Sequence, residues 1–355
     1  MSAEVNSVSI GVRSTTATAT GTRHHGSSQG GELAQPHKGA PWGAAWLLRT
    51  GSIVGILGVF LFFSLTAPFF FSVGNLGNVL AQSAILGVLA FGLTLVIIAG
   101  GSNVVTGGID LSLAANMGLS AAVYASLVQL GWSDGVAVLG ALATGLLIGL
   151  VNALAVVIVG IVPLLATLAV MNVVAGLELV LTQNTVIPAS TDFLSLLSAT
   201  GPFGLPVLAY VLLGAALLVG AVVQYTALGL RLYAVGEFPE AARAAGLRVK
   251  TLTAGAFIAA GLLGGIAGIL NTSYLSGSST GAGDILLPVV VTTLLGSVFS
   301  RRLVPTIPGT LVSAIFVGVL INGFQLLNLS STLVAGVQGA LILLVVSATT
   351  LLRRR

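Results

Sequence analysis

Ten apolar runs, most of them long enough to cross the ~30 Å hydrocarbon core of a bilayer as helices, follow one another from residue 51 to residue 350. Short polar or glycine-rich segments separate them. The pattern predicts an all-α, polytopic membrane protein. Its spans are predicted at 51–71, 78–99, 109–129, 136–159, 162–182, 205–225, 251–271, 285–299, 306–326 and 332–350.

The first 45 residues have a different composition from the rest of the chain. They are rich in Ser, Thr, Gly, Ala and His and show no apolar period. Such a segment cannot bury enough apolar surface to fold alone. It also lacks the apolar region of a secretory signal. We predict a disordered cytoplasmic tail at 1–45 and a transmembrane domain at 46–355.

Composition excludes several classes of protein. The chain of 355 residues is 56% hydrophobic and only 6% charged, with a mean hydropathy of +1.09. A soluble domain carries about 25% charged residues. Cysteine is absent, and all three histidines precede residue 40. Disulfides, cysteine nucleophiles and histidine proton relays within the membrane are therefore excluded.

The charges predict the orientation of the spans. With the N-terminus in the cytoplasm and ten alternating spans, all 13 Lys and Arg residues fall on the cytoplasmic side. Cytoplasmic loops of membrane proteins carry this excess of positive charge. We therefore expect both termini in the cytoplasm, and Asp134, Asp192 and Asp284 on the outer side.

Glycine is abundant, with 47 residues, and it recurs at a spacing of four. The pairs Gly145/Gly149, Gly261/Gly265 and Gly264/Gly268 predict close packing of helices in lipid. Asp110 and Asp284 each follow a glycine-rich loop and open a span from opposite sides. Five spans plus five with that relation would suit an inverted repeat.

Residues 236–250 form the most charged interior stretch of the chain. The sequence predicts one short helix there. Pro239 suits a first helical position, Glu240 suits the positive end of the helix dipole, and Gly246 suits a C-terminal cap. A short capped helix between two spans is suited to contact from the water side, although an ordinary solvated loop is the alternative.

An enzyme is disfavoured by the motifs that the chain lacks. The sequence has no phosphate-binding Gly-x4-Gly-Lys-Ser/Thr loop, no cluster of metal ligands and no Ser/His/Asp set. What the pattern favours is a path across the membrane with a cytoplasmic segment attached to it.

Four motifs together resemble one family. Gly-x-x-Pro-Glu-Ala-Ala-Arg at 236–243, followed by Gly246, resembles the coupling motif of ribose/xylose/galactose-type permeases of ATP-binding-cassette (ABC) importers. Thr-Gly-Gly-Ile-Asp-Leu-Ser at 106–112, Pro-Leu-Leu-Ala-Thr-Leu at 163–168 and Gly-Val-Leu-Ile-Asn-Gly at 318–323 occur in the family's order. The resemblance covers residues 50–355. The segments 99–105 and 300–305 depart from the family pattern, which leaves the substrate open.

The resemblance implies a mechanism and a set of partners. It implies that two permease subunits, identical or different, form the path in the bacterial inner membrane, and that separate ATPase subunits bind the cytoplasmic helices. An external binding protein would deliver a sugar, and no nucleic acid is involved. ATP would be hydrolysed by the partners, so that this chain binds no cofactor or metal. The residues implied in coupling are Gly236, Glu237, Pro239, Glu240, Ala241, Ala242, Arg243 and Gly246.

Polar residues in the predicted spans are candidates for the substrate path. Asp110 is either a helix N-cap or part of a broken helix that lines the path. Glu178 is either functional, as carboxylates in spans usually are, or snorkels to the outer interface. Amides either bond sugar hydroxyls or bond across helices; these are Asn103, Asn116, Asn152, Asn172, Gln183 and Asn271.

Two outer loops carry candidate docking residues. Asp192 and Asp284 lie in the two longest outer loops, where we expect the binding protein to dock.

We predict a permease subunit of an ABC importer for a monosaccharide or related polyol. The nearest alternative carries branched-chain amino acids or nucleosides. An ion-coupled secondary transporter would need more ionisable groups at mid-membrane.

Overall fold

The computed structural model describes residues 42–101, 107–300 and 304–353, and all regular elements in these ranges are helices. The thirteen α-helices are α1 (Trp42–Thr66), α2 (Val73–Gly100), α3 (Leu113–Gln129), α4 (Asp134–Ala153), α5 (Pro163–Thr182), α6 (Asp192–Ser198), α7 (Val207–Tyr225), α8 (Ala227–Glu237), α9 (Pro239–Ala244), α10 (Val249–Leu275), α11 (Leu286–Val298), α12 (Ile307–Leu326) and α13 (Ser331–Arg353). A π-helical turn, Leu154–Val159, extends α4, and 3-10 turns lie at Pro202–Gly204 and Ala282–Ile285.

Long apolar helices dominate the described residues. Six of them are long and apolar enough to cross a membrane, and four further apolar segments are shorter. Each of the ten predicted apolar runs coincides with one of these helices. The all-helical membrane fold is therefore confirmed, whereas the number of spans and the inverted repeat stay predictions.

Three predicted boundaries are wrong for identifiable reasons. Trp42 already begins α1, so that residues 42–45 do not belong to a tail; residues 1–41 lie outside the described part of the chain. The same helix ends at Thr66 because Pro68 follows and proline excludes a continuing helix. The third run begins its α-helix only at Leu113, because Leu111 N and Ser112 N donate to the side chains of Thr167 and Asp110 instead.

Helix α2 is the centre of the bundle. It packs against α7, α8, α10, α11 and α12, and every residue from Ser83 to Ala99 is buried. Its core neighbours include Phe257 on α10 and Val317 on α12. A helix that is apolar on all sides is expected at the centre of a membrane bundle rather than against lipid alone.

One end of the bundle is built from the loops around α6. Ser198 Oγ donates to the Ser273 carbonyl on α10 (2.7 Å), and Ser273 Oγ donates to the Leu194 carbonyl (2.8 Å). Ile187 N donates to Ser278 Oγ (2.9 Å), which joins the loops after α5 and α10. Since α10 rises about 1.5 Å per residue, this end lies about 40 Å from α9, which precedes α10. We call it the distal end of the bundle.

Candidate functional site

The segment predicted as one helix over 236–250 consists of three helical pieces, so that the prediction of its extent is wrong. Gly236 and Glu237 end α8, and Lys250 belongs to α10. Phe238, with φ −139° and ψ 73°, separates α8 from α9. The cause is Pro239, whose ring disfavours a helical conformation in the preceding residue. Proline nevertheless occupies the first position of α9, as predicted.

The C-terminus of α9 has the predicted glycine cap. Gly246 has φ +83°, in the left-handed region that glycine adopts without a side-chain clash. Its N–H donates to the Arg243 carbonyl (3.0 Å), and Leu247 N donates to the Ala242 carbonyl (3.0 Å). This pair of bonds is a Schellman motif. Proline at one end and glycine at the other fix the length of α9.

Helix α9 presents a charged face outward. Glu240 accepts two hydrogen bonds from Arg243 Nη1, at 2.9 and 3.1 Å, while their side chains remain 82% and 59% exposed. Ala241 is exposed, and Ala242 is buried. An exposed ion pair contributes only ~0.2–1 kcal/mol to stability. The pair therefore contributes little to the stability of the fold.

Gly236 is placed where two helices cross. A Cβ at Gly236 would lie 3.1 Å from Gly101 N, and a Cβ at Gly101 would lie 2.5 Å from the Gly236 carbonyl oxygen. Glu237, one residue later, is exposed. The structure thus gives Gly236 a packing role at the end of α2, next to α9.

A cavity of 280 Å³ lies beside the start of α9. Its lining comes from the ends of α2, α8 and α10 and from the turn between α4 and α5. Representative residues are Gly108, Gly160, Pro163, Pro239 and Phe257. Helix α9 therefore borders the same space as the loop that carries Asp110.

Asp110 and Asn152, two candidates far apart in sequence, meet in a buried polar cluster. Asp110 Oδ1 accepts from Ser112 N (2.9 Å) and from Ser112 Oγ (2.6 Å). Asn152 Nδ2 lies 3.3 Å from Asp110 Oδ2 and 2.7 Å from Ser112 Oγ. Thr167 Oγ1 accepts from Leu111 N (3.1 Å). All of these side chains are at most 1% exposed.

This cluster favours the capping interpretation of Asp110. Its carboxylate satisfies the backbone just before α3, although the N-cap residue itself is Ser112. The side chains of the cluster bond mainly to one another, although Asn152 Oδ1 is buried without a hydrogen-bond partner among the described residues. They hold the start of α3 against the end of α4 and the start of α5.

The structure does not bring the remaining candidate amides together. Asn116 donates across helices to the Gly261 carbonyl (3.0 Å), and exposed Asn172 bonds within α5 to Leu168. Asn271 donates to Ser279 Oγ (3.1 Å) at the distal end. Gln183 is the exposed C-cap of α5. Asn103 lies outside the described residues.

Glu178 is buried at the distal end of α5. Only 3% of it is exposed, and among the described residues its Oε1 atom has no hydrogen-bond partner. The carboxyl group faces Gly118 on α3. A Cβ atom at Gly118 would lie 2.8 Å from Glu178 Oε2 and 2.7 Å from Ala282 Cβ. The glycine leaves the room that this carboxyl group occupies.

Asp192 and Asp284 are both exposed at the distal end. Asp192 is the first residue of α6, whose N-cap Thr191 accepts from Leu194 N (3.2 Å). Asp284 lies in the 3-10 turn before α11. Both residues lie on the side of the bundle opposite α9; their role in docking stays a prediction.

One polar cluster was missed by the sequence analysis. Gln82, Tyr274 and Gln325 come from α2, α10 and α12 and bond to one another near the distal end. A glutamine within the apolar run at 78–99 was a detectable signal. Its partners could not be identified, because they are separated from it by 192 and 243 residues.

Known proteins resemble this chain over most of its length. A family model described as "Branched-chain amino acid transport system / permease component" matches residues 75–346. The ribose import permease RbsC of Escherichia coli (strain K12) is 32% identical over 85% of this chain and 94% of its own. RbsC of Bacillus subtilis (strain 168) is 33% identical over 84% of this chain and 91% of its own.

A further relative is the galactofuranose transporter permease YtfT of Escherichia coli (strain K12), which is 30% identical over 79% of this chain and 84% of its own. No solved structure matches the chain significantly. The four motifs, the bundle of apolar helices and these matches agree. The chain therefore belongs to this family of transport-system permeases and is a multi-pass protein of the bacterial inner membrane.

Proposed function

We propose that this chain is the membrane-spanning subunit of an ABC importer and forms the path for a monosaccharide or related polyol. The observation that carries the proposal is the match to ribose permeases over at least 84% of this chain and 91% of theirs. The galactofuranose permease supports the same class of substrate. Neutral amides and hydroxyls, rather than charges, provide most of the buried polar groups of the bundle.

Helix α9 is the proposed contact for the ATPase subunits. It is short, begins at a proline, has a glycine cap at its C-terminus and is charged on its outer face, so that it can move as a rigid unit. Its first residue, Pro239, borders the cavity that Gly108 and Pro163 also line. A displacement of α9 therefore changes the shape of the cavity that the loop before α3 and the α4–α5 turn also line. ATP is bound and hydrolysed by the partners, and this chain requires no cofactor.

The proposed topology has ten spans with both termini in the cytoplasm. This arrangement puts α9 on the cytoplasmic side and the distal end outside. The binding protein then docks on the loops that carry Asp192 and Asp284. A second permease subunit, identical or different, completes the path.

Amino acids are the second candidate substrate, because the description of the matching family model names branched-chain amino acid transport. Reconstitution separates the candidates. The permease is placed in liposomes with its ATPase and binding protein, and uptake of radiolabelled ribose, galactose and leucine is measured with and without ATP.

Sugar uptake that requires both ATP and the binding protein is the expected result. Uptake of leucine alone would favour the second candidate. Uptake that follows an ion gradient without the ATPase would contradict the importer mechanism.

A further inference from the structure

Three neutral polar side chains from three distant parts of the sequence converge at the distal end. Gln82 Nε2 donates to Tyr274 Oη (3.0 Å) and lies 3.3 Å from Gln325 Oε1. They belong to α2, α10 and α12, and both α10 and α12 pack against α2 at the centre of the bundle. We call this set the glutamine–tyrosine cluster.

The cluster lies where the buried core becomes accessible. Gln82 and Tyr274 are partly exposed and Gln325 is exposed, whereas α2 is buried without interruption from Ser83 to Ala99. Gln82 is thus the innermost accessible residue on the distal half of the central helix. Tyr274, in the last turn of α10, is about 37 Å from the α9 end of that helix.

The hydrogen bonds within the cluster leave several groups unused. Within the described part of the chain, the three side chains bond only to one another. Gln82 Oε1 remains as an acceptor, while Gln325 Nε2 and the Tyr274 hydroxyl hydrogen remain as donors. Unpaired amides facing hydrocarbon would be costly, so that the exposed side of the cluster faces water or a polar ligand.

Further polar residues lie close to the cluster along α2 and α12. Ser83 follows Gln82 on α2, and Asn322 is one turn before Gln325 on α12. Both are buried, and Ser83 Oγ and Asn322 Oδ1 have no hydrogen-bond partner among the described residues. Native proteins pair most buried polar atoms. Ser83 Oγ faces Gly318 in the contact between α2 and α12, so that the unpaired Asn322 Oδ1, one turn from Gln325, is the atom that supports a polar ligand beside the cluster.

We propose that the glutamine–tyrosine cluster is the first sugar-recognition site of the translocation path, where hydroxyl groups of a neutral polyol bond to Gln82, Tyr274 and Gln325. None of the three forms an ion pair or hydrogen bond with a charged side chain in the described residues. A neutral polyol matches this set of donors and acceptors, whereas the two charges of an amino acid would be left unpaired. The inference rests on the proposed function and adds the residues that select the substrate.

The test uses the complete importer in liposomes and two variants, Tyr274→Phe and Gln82→Leu. Uptake of ribose, 2-deoxyribose, 3-deoxyribose and 5-deoxyribose is measured per assembled importer, together with ATP hydrolysis. We expect ribose uptake to fall about 3- to 10-fold, the effect of one lost hydrogen bond to a neutral group.

The deoxyribose series provides the decisive comparison. An analogue that lacks the contacted hydroxyl has no hydrogen bond to lose, so that its uptake falls less in the variant than the uptake of ribose does. The ratio of analogue uptake to ribose uptake is therefore about 3-fold or more higher in the variant than in the wild type. The binding protein selects equally in wild type and variant, and its contribution cancels. Gln325→Ala, at an exposed position, tests the same site with little risk to folding.

Tyr225→Phe and Gln224→Leu are matched controls at exposed positions on the α8 side of α7. They should leave uptake and all ratios unchanged. Unchanged ratios in Tyr274→Phe, Gln82→Leu and Gln325→Ala, with a wild type that imports ribose, would overturn the site. A wild type that imports leucine and no sugar would instead refute the proposed function.

Discussion

Gly145 on α4 and Gly261 on α10 face each other with their backbones in contact. A Cβ at Gly145 would lie 2.7 Å from Gly265 N, and a Cβ at Gly261 would lie 2.6 Å from the Cα of Gly149. Asn116 donates to the Gly261 carbonyl from α3. The small-residue pairs predicted from sequence therefore bring three helices together, and there is no space for a methyl group between α4 and α10.

Gly261→Ala should destabilise the bundle. The added methyl group meets backbone atoms of α4, which cannot rotate away as a side chain can. Overpacking of this kind costs about 1–3 kcal/mol. We expect a lower thermal melting temperature of the detergent-solubilised protein and lower abundance in the membrane.

Gly255→Ala is the matched control for this substitution. It lies on the same helix, and a Cβ there meets nothing within 4 Å. Since alanine favours helices, stability should be unchanged or slightly higher. Equal melting temperatures for Gly261→Ala and wild type would show that α4 and α10 are not packed in this way.

Local features of this fold were predictable, and long-range ones were not. Pro239 and Gly246 act through the dihedral angles of their own neighbourhood, so that the sequence predicts both ends of α9. The break at Phe238 depends on the same proline and was missed. Capping was one of the two interpretations given to Asp110, but its partner Asn152 is 42 residues away and was not predicted. Which polar groups meet depends on helix packing.

Asp110→Ala should lower stability more than Asp110→Asn. Alanine leaves the Ser112 N–H and the Ser112 hydroxyl without their acceptor, whereas the Asn152 amide keeps Ser112 Oγ. Each buried group left unpaired costs about 1–3 kcal/mol. Asparagine retains one oxygen for the Ser112 N–H. Thermal melting of the purified variants measures the order of stability.

Exposed Asp284→Ala is the control for stability and should melt like the wild type.

Measurements of uptake decide whether Asp110 caps a helix or acts in the translocation path. If Asp110→Asn melts normally but abolishes uptake, the carboxylate acts in the translocation path. Loss of uptake in proportion to the loss of folded protein agrees with capping.

Reporter proteins fused at two positions of the chain should report opposite sides of the membrane. A fusion after Arg302 is expected in the cytoplasm, and a fusion near Asp192 is expected outside, because all Lys and Arg residues then lie on one face. An alkaline phosphatase and a fluorescent protein, each active on one side only, provide the measurement. The same side for both positions would refute ten alternating spans.

Asp192 and Asp284 should contribute to docking of the binding protein through exposed ion pairs. Such pairs contribute only ~0.2–1 kcal/mol each and are screened by salt. The double variant Asp192→Asn/Asp284→Asn should therefore bind a few-fold more weakly and with a flatter dependence on salt. Titration of the binding protein against liposome-embedded permease, at several salt concentrations, measures both quantities.

Glu237→Gln is the control for charge, because it removes an exposed carboxylate next to α9, on the opposite side. It should leave docking and its salt dependence unchanged. A double variant with the salt dependence of the wild type would argue against ion pairs at Asp192 and Asp284.

Gly246→Val should uncouple transport without unfolding the bundle. A β-branched residue at φ +83° is strained, and the conformation costs about 1–3 kcal/mol. The strain falls on the Schellman bonds of α9 and on the start of α10, not on helix packing, since a Cβ at Gly246 meets nothing within 4 Å. Near-normal abundance, reduced uptake and weaker capture of the ATPase, or futile hydrolysis, are expected.

Gly131→Val separates coupling from strain. Gly131 has φ +80°, and a Cβ there also meets nothing within 4 Å, but it follows α3 at the opposite side of the bundle from α9. The Gly131→Val variant should show the same local strain with normal ATPase capture.

Glu240→Ala should have a smaller effect than Gly246→Val, because it removes one first-turn charge worth about 0.3–1 kcal/mol and the ion pair to Arg243. Normal uptake in both α9 variants would refute the coupling role. Low abundance in both would show that α9 serves only folding.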